Sequence, residues 1–434
     1  MSSEKRAIAL VASVSAMCLS GTAHATEGYF LNGTSVRDKG VAGAGTADPH
    51  DPLILANNPA GIAEIDSQIE VGVSLFMPRR QFTGSGGPGF TPSGPVKSGS
   101  NFFPLPTAGI SYRLDDRSAV GLAIFGNGGL NTNYGAPANP ACASPPLPAP
   151  NGVFCGGTTG VNLIQAFVVA GYARKLTDNI TVGISPVFGM QIFKARGLRA
   201  FSFDPLGNPL SVDPSKLTDN GNSVSTGFGV RGGVLVKLTP QLRGAASYQT
   251  KMNMSKFKEY AGLFENGGDF DIPSNYNFGI AFEPTPGFTL LADYRHIKYS
   301  DVPAVANSST IRQQFGSPGG PGFGWKDVNV YKFGVEAPVS ERLTLRAGAA
   351  FNNNPVPSSD ATINILAPGV SKQHYTLGAR LGLGERSSLD FSFLYSPTAH
   401  TRGIEITPAG PNPGHTIDLE MHQFEVGLAW VKKL

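Results

Sequence analysis

The chain has 434 residues, of which 15% are Asp, Glu, Lys or Arg, with 55 Gly and 34 Pro. So few charges and so many turn-formers suit many strands joined by turns, and a net charge of +3 from dispersed Lys and Arg excludes a nucleic-acid-binding surface. No charge-rich or low-complexity linker divides the chain, so one large architecture is expected.

Residues 1–25 have the organisation of a secretory signal: Lys5 and Arg6, an apolar run from Ala7 to Leu19, and the A-x-A site Ala23-His24-Ala25, which would start the mature chain at Thr26. Met17 stands where a lipoprotein needs a small residue before its cysteine, which argues against lipidation of Cys18. Downstream, no stretch approaches the ~18 apolar residues of a membrane helix. Residues 26–66 do not alternate; their Gly, Pro and Asn content predicts a compact, turn-rich element ahead of the first strand.

From about residue 67 to residue 434 one pattern repeats: alternating apolar and small or polar positions, then a connection. Tyr375, Leu377, Ala379, Leu381 and Leu383 share a face, as do Leu343, Leu345, Ala347, Ala349 and Phe351, then Tyr276, Phe278, Ile280 and Phe282, and Leu389, Phe391, Phe393 and Tyr395. Period two means strand. Six short connections, at 114–117, 176–179, 239–240, 284–287, 338–341 and 384–387, alternate with seven long ones near 82–103, 131–160, 198–222, 259–270, 302–324, 355–370 and 403–416. Thirteen connections join fourteen strands, and short periplasmic turns opposite long outer loops predict an all-β transmembrane barrel of fourteen antiparallel strands. Such a barrel is too wide for its side chains to fill, so residues 26–66 are expected to plug it.

The other face of the strands is mostly small or polar, as in a lumen wall rather than the charged exterior of a soluble sandwich, and no blade-length repeat suggests a propeller. Tyr112, Tyr172 and Trp430 near the short turns, and Trp325, Tyr299 and Tyr395 near the long loops, are candidates for two interfacial girdles. Glu336, Arg346, Arg380, Asp390 and Glu425 would project inward from five consecutive strands, either as solvated cross-strand pairs or as partners of the plug. Cys142 and Cys155, close together in a Pro-rich loop of an exported protein, suggest a disulfide; a metal site would need His or carboxylate partners that are not nearby.

The segment Gly28-Tyr29-Phe30, the run from Lys39 to Ala47 and the tripeptide Asn58-Pro59-Ala60 resemble the long-chain fatty acid and aromatic hydrocarbon transporters of the outer membrane, the FadL/TodX type. The resemblance continues through NYNFGIAFEPTPGFTLLADYRHIKYSDV, WKDVNVYKFGVE and YTLGARLGLGERSSLDFSFLYSP, nearly the whole mature chain. It implies fourteen strands, an N-terminal hatch, apolar ligands bound first near the outer loops, and sideways release where the third strand kinks. On that basis Asn58, Pro59 and Ala60 belong to the hatch, as a gate or simply as its last turn. Gly126-Asn127-Gly128-Gly129 interrupts the third strand, which permits a bend or merely begins the next loop. One departure is the end of the chain, where Trp430 lies four residues before Leu434 instead of closing the last strand.

The resemblance implies passive uptake of hydrophobic molecules, with long-chain fatty acids as the default by the family's prevalence and alkanes or aromatic hydrocarbons as the alternative. A general porin for small solutes is the rival and would need no plug. Leu198, Phe201 and Phe203 in one outer loop and Leu263 and Phe264 in another are candidates for a ligand-admitting groove, or for local loop packing. No cofactor is implied, since Gly43-Ala44-Gly45 lacks the Gly-Lys-Ser/Thr ending of a phosphate loop. The histidines His296, His374, His400, His415 and His422 form no nucleophile motif, so no catalysis is expected. The expected partners are the apolar ligand, outer-membrane lipid and lipopolysaccharide, and the barrel assembly machinery, with the protein acting as a monomer.

Overall fold

The structure, a computed structural model, describes residues 27–143 and 149–434; residues 1–25, read above as a secretory signal, lie outside them. Among the described residues, fourteen long strands follow one another around a closed antiparallel ring. They are β1 (Gln68–Gly86), β2 (Phe103–Arg113), β3 (Ser118–Asn131), β4 (Gly160–Lys175), β5 (Ile180–Arg196), β6 (Ser223–Lys237), β7 (Leu242–Gln249), β8 (Asn275–Thr285), β9 (Phe288–Ile297), β10 (Val328–Pro338), β11 (Leu343–Asn352), β12 (Gln373–Gly382), β13 (Ser387–Thr407) and β14 (Gly410–Lys433). The ring closes where β1 pairs with β14 from Gln68↔Lys433 to Gly86↔His415. Two short strands lie outside this count: Gly94–Lys97 on β1 and Asn253–Met254 on β6.

Closure pairs the first strand with the last, so the sheet has no terminal edge, as a lipid environment demands. The alternating apolar residues point outward, with Leu377 60%, Phe278 53% and Phe333 52% exposed. Cross-strand register lines up an outer aromatic belt: Tyr248 faces Tyr276, Tyr294 faces Tyr331, Tyr331 faces Phe351, Tyr375 faces Tyr395, and Tyr395 faces Phe424. Tyr112, Tyr172, Trp430 and Tyr395 are exposed on the lipid side. Trp325 and Tyr299 are not in a girdle: both are buried inside, because the loop that carries them folds back into the lumen, where their polar tips find partners.

The short turns fall at 114–117, 176–179, 238–241, 286–287, 339–342 and 383–386. Most share one build. Leu114, Leu176, Leu238, Val339 and Leu383 each donate a backbone N–H to the carbonyl four residues on, at 2.8–2.9 Å. In the turns after Leu176, Leu238 and Val339, the hydroxyls of Thr177, Thr239 and Ser340 accept the returning N–H groups. Two outer loops are longer than expected, running over 250–274 and 298–327. The seventh is a correction: β13 and β14, of 21 and 24 residues, continue past the membrane as a hairpin closed at 408–409. Gly410, Pro411 and Pro413 disguise that strand as a loop, and a register shift at Ile404/Glu405 accommodates the irregularity.

Because Leu377 sits on the lipid face, Leu377→Arg is expected to destabilise the barrel by about 2–4 kcal/mol. Equilibrium unfolding from lipid vesicles checks this; an unchanged midpoint would mean that the face does not meet the bilayer core.

Candidate functional site: the filled lumen and the open seam

Residues 27–65 are almost all buried, and their partners lie on the inward faces of strands around the whole ring. The segment contains a short helix, α1 (Val36–Gly40), capped by Ser35, whose hydroxyl accepts from the Asp38 N–H at 3.0 Å. Two 3-10 turns follow, Pro52–Ala56 and Pro59–Ala63, each opened by a capping acceptor, Asp51 and Asn58, before a proline. The wall glycines are sockets for this segment. A Cβ on Gly183 would lie 2.4 Å from the Ala60 nitrogen, one on Gly233 2.0 Å from the Asn58 side-chain oxygen, and one on Gly348 2.4 Å from the Val41 carbonyl carbon.

Asn58 does two things at once. Its side-chain oxygen accepts from the Ala60 N–H at 3.1 Å, closing the last turn, while its amide donates to the carbonyls of Thr46 (3.1 Å) and Val234 on β6 (3.2 Å). Pro59 and Ala60 are buried beside it, against β5 and β6.

Four of the five inward charges form one continuous chain that ends on the segment, and Glu425 makes a separate pair with it. Arg380 pairs with Asp390 at 2.8 Å, Arg346 with Asp390 at 2.6 Å and with Glu336 at 2.5 Å, and Arg37 of α1 with Glu336 at 3.3 Å. Arg37 also meets Asp48, which Arg243 holds from the wall at 2.5 Å, and Lys39 meets Glu425. The wall charges thus pair with one another and also grip the plug. Burial disfavours the Asp48 charge, yet His50, Arg37 and Arg243 hold its carboxyl well below the usual range. Burial, reinforced by the Asp51 carboxylate, pushes Asp38 up to about 7 despite the adjacent Arg37.

Higher in the lumen, the Glu27 carboxylate lies between two wall cations, Arg295 at 3.1 Å and Lys332 at 2.7 Å. Strand parity marks both cations as inward-facing, but their partner on the N-terminal segment has no signature in the sequence. Above them is an aromatic cluster. Tyr29, Phe30, Tyr299 and Trp325 pack with centroids 5.0–6.1 Å apart, and Phe193, Phe257, Phe264 and Phe270 pack at 4.7–6.3 Å.

In the third strand, Gly126 faces Ala166 and Gly128 faces Gln165, so Asn127 is the extra residue of a β-bulge. β2 pairs with β3 only from Arg113↔Ala119 to Thr107↔Phe125. Beyond that point β2 stays with β1, β3 stays with β4, and the two part. Pro104 and Pro106 stand on the parted stretch of β2 and have no N–H for a ladder. The freed inner edge of β3 is taken up by the N-terminal segment: Gly129 donates to the Tyr29 carbonyl at 3.1 Å, and Leu31 donates to the Asn127 carbonyl at 3.3 Å.

The five candidate groove residues do not share one surface. Phe201 lines an outer-loop cavity of about 600 Å³ with Leu210, Phe315 and Ile363, while Phe203 is exposed, Leu198 is buried, Leu263 packs against the core and Phe264 belongs to the inner aromatic cluster. Cys142 and Cys155 are joined in a disulfide, and the loop they close carries Phe154 to 5.1 Å from Phe201.

Fold and site together define an outer-membrane barrel whose lumen is filled by its own N-terminus and whose wall is parted at one seam. The chain belongs to the outer membrane protein transport family (OMPP1/FadL/TodX), whose model matches residues 16–405, a family of hydrophobic-compound transporters of the bacterial outer membrane. Its fold is that of a Pseudomonas aeruginosa FadL homologue (16% identity, 94% of this chain and 99% of that one, TM-score 0.66). It is likewise that of the P. putida toluene transporter TodX (18%, 94% and 99%, 0.68) and the Ralstonia pickettii toluene transporter TbuX (20%, 93% and 99%, 0.61). No curated protein matches the chain by sequence.

Two outcomes are expected. Glu425→Gln leaves Lys39 buried without its counter-charge, at a cost of about 3–5 kcal/mol to docking, which hydrogen exchange over residues 35–47 reads as lost protection. Second, Asp38 is raised in the docked segment above its ordinary value near 4, so the docked form keeps a proton that the undocked form has lost. Docking therefore weakens as pH rises from about 4 to about 7, and Asp38→Asn removes that dependence. Equal intrinsic-rate-corrected protection of the unmutated chain at both ends of the interval contradicts this.

Proposed function

We propose that the protein admits hydrophobic molecules at its outer loops, passes them inward when the N-terminal segment shifts, and releases them sideways into the membrane through the seam between β2 and β3. The observation that carries this is the coupling of plug to seam, since the backbone of Tyr29 and Leu31 bonds the very edge that the Asn127 bulge frees. Withdrawal of residues 27–31 would both open the upper lumen and uncover that edge. An apolar molecule leaving there meets lipid rather than water, so its burial is never interrupted. No energy source is required, and the protein acts as a monomer.

Long-chain fatty acids are the ligand class this arrangement favours. The aromatic cluster adjoins two cations, Arg295 and Lys332, whose only carboxylate partner among the described residues is Glu27, so a fatty acid head group could take the place of Glu27 once the segment moves. The second reading, monoaromatic hydrocarbons, is supported by the edge-to-face rings of that cluster and by the toluene transporters among proteins of the same fold. A general porin is disfavoured by a lumen filled at the level of α1.

Deleting Asn127 restores the β3 register and is expected to lower oleate flux into proteoliposomes at least about tenfold while the barrel still folds. Flux at the unmutated rate in a heat-modifiable, folded variant overturns lateral release. Rapid swelling of the same vesicles in sugar would establish the porin instead.

A further inference from the structure

Three inward-facing residues on consecutive strands form a row with no counterpart elsewhere in the mechanism. Tyr375 of β12 faces Tyr395 of β13, which sets their inward neighbours His374 and Ser396 side by side, and Ser396 faces Gln423 of β14. All three are 0% exposed. Yet both ring nitrogens of His374, the hydroxyl of Ser396, and both the oxygen and the nitrogen of the Gln423 amide lack a hydrogen-bond partner. Burying one such atom unpaired costs on the order of 1–3 kcal/mol, so a row of five is a large standing penalty.

Inward polar rows differ in how far they are satisfied: Arg231, Gln249 and Asn275 also form a row with unpaired atoms, although there Arg231 donates to the Leu55 carbonyl and the Gln249 oxygen. In another sector the Asn127 amide donates to Gln165 at 2.9 Å, Gln165 to Gln191 at 2.8 Å, and Gln191 to the Phe270 carbonyl at 2.8 Å. That row is satisfied along its length. The unpaired row also lies at a break in the sheet: immediately after Ser396, residues 397 and 398 stand against His422 alone before pairing resumes at Ala399↔Met421, a β-bulge. Bulges re-aim side chains and gather near functional sites. One inward position lower, Thr376 and Glu425 bond the Gly40 carbonyl and Lys39 of α1, so the row is sealed by the segment that the proposed transport step must move.

We infer that His374, Ser396 and Gln423 form a second, neutral polar subsite in the lumen, one that binds the uncharged oxygen group of an otherwise apolar ligand, a phenol or alcohol. None of the three carries a permanent charge, and imidazole, hydroxyl and carboxamide each both donate and accept, which matches a hydroxyl group better than a carboxylate. The charged subsite at Arg295 and Lys332 lies on β9 and β10, and Lys332 shares an inward row with His374, with Ala350 of β11 between them. The inference rests on the reading that apolar molecules enter this lumen, and it extends their class from hydrocarbons and fatty acids to hydroxylated molecules.

The test is equilibrium binding of toluene and of p-cresol, the same skeleton with one hydroxyl, to the detergent-solubilised full mature chain. Apolar burial alone favours toluene, because the hydroxyl pays for desolvation. The subsite predicts the reverse, with p-cresol bound about ten times more tightly. His374→Leu combined with Gln423→Leu should return the preference to toluene, and the milder Ser396→Ala should reduce the p-cresol preference about threefold in a barrel whose heat-modifiable gel migration is unchanged. Saturable toluene binding without a p-cresol preference, or a preference that survives Ser396→Ala and the double variant, overturns the inference and leaves the transport reading standing. If neither probe binds saturably, the inference falls, and oleate flux alone then decides the transport reading.

Discussion

The buried charge chain from Arg380 to Arg37, with the separate pair of Lys39 and Glu425, is the interaction on which the arrangement depends. Ionised groups out of water are costly, and pairs of them seldom add net stability over apolar packing of the same volume. What they supply here is position. Arg37 reaches Glu336 of β10 and Asp48 of its own segment, while Lys39 reaches Glu425 of β14, so α1 has one seat in a lumen that offers many apolar surfaces. The wall chain Glu336–Arg346–Asp390–Arg380 holds that seat rigid across four strands.

The seam follows from the same logic at the backbone level. A barrel in lipid cannot leave ladder groups unpaired, yet the Asn127 bulge and the prolines of β2 open the ladder between β2 and β3. Tyr29 and Leu31 repair it from inside. Charge at the lower end and backbone at the upper end thus tie one segment to two parts of the wall. Glu27, between Arg295 and Lys332, adds a third tie close to the aromatic cluster.

The glycine content, first a sign of turns, proves to be equally a sign of contact. Gly183, Gly233 and Gly348 lie within strands, where glycine weakens pairing, and at each of them a side chain would occupy the place of the N-terminal segment. The plug and the wall are complementary surfaces carried by one chain.

The amino-acid sequence by itself determined the strand count, the lipid-facing residues and the short turns, because period-two alternation and turn chemistry are local properties that survive without knowledge of neighbours. It also placed Glu336, Arg346, Arg380, Asp390 and Glu425 inward, since parity is local too. Only the tertiary structure decided what those charges meet, because Arg37 and Lys39 are hundreds of residues from Glu336 and Glu425 and carry no mark of their destination. The same holds for the loops. Tyr299 and Trp325 have the composition of interfacial aromatics, and only the folding of their loop back into the lumen makes them partners of Glu27 and Asn364. Leu198, Phe201, Phe203, Leu263 and Phe264 look alike as sequence, but burial separates them, since where a loop residue points is set by the whole ring of loops and not by its neighbours in the chain.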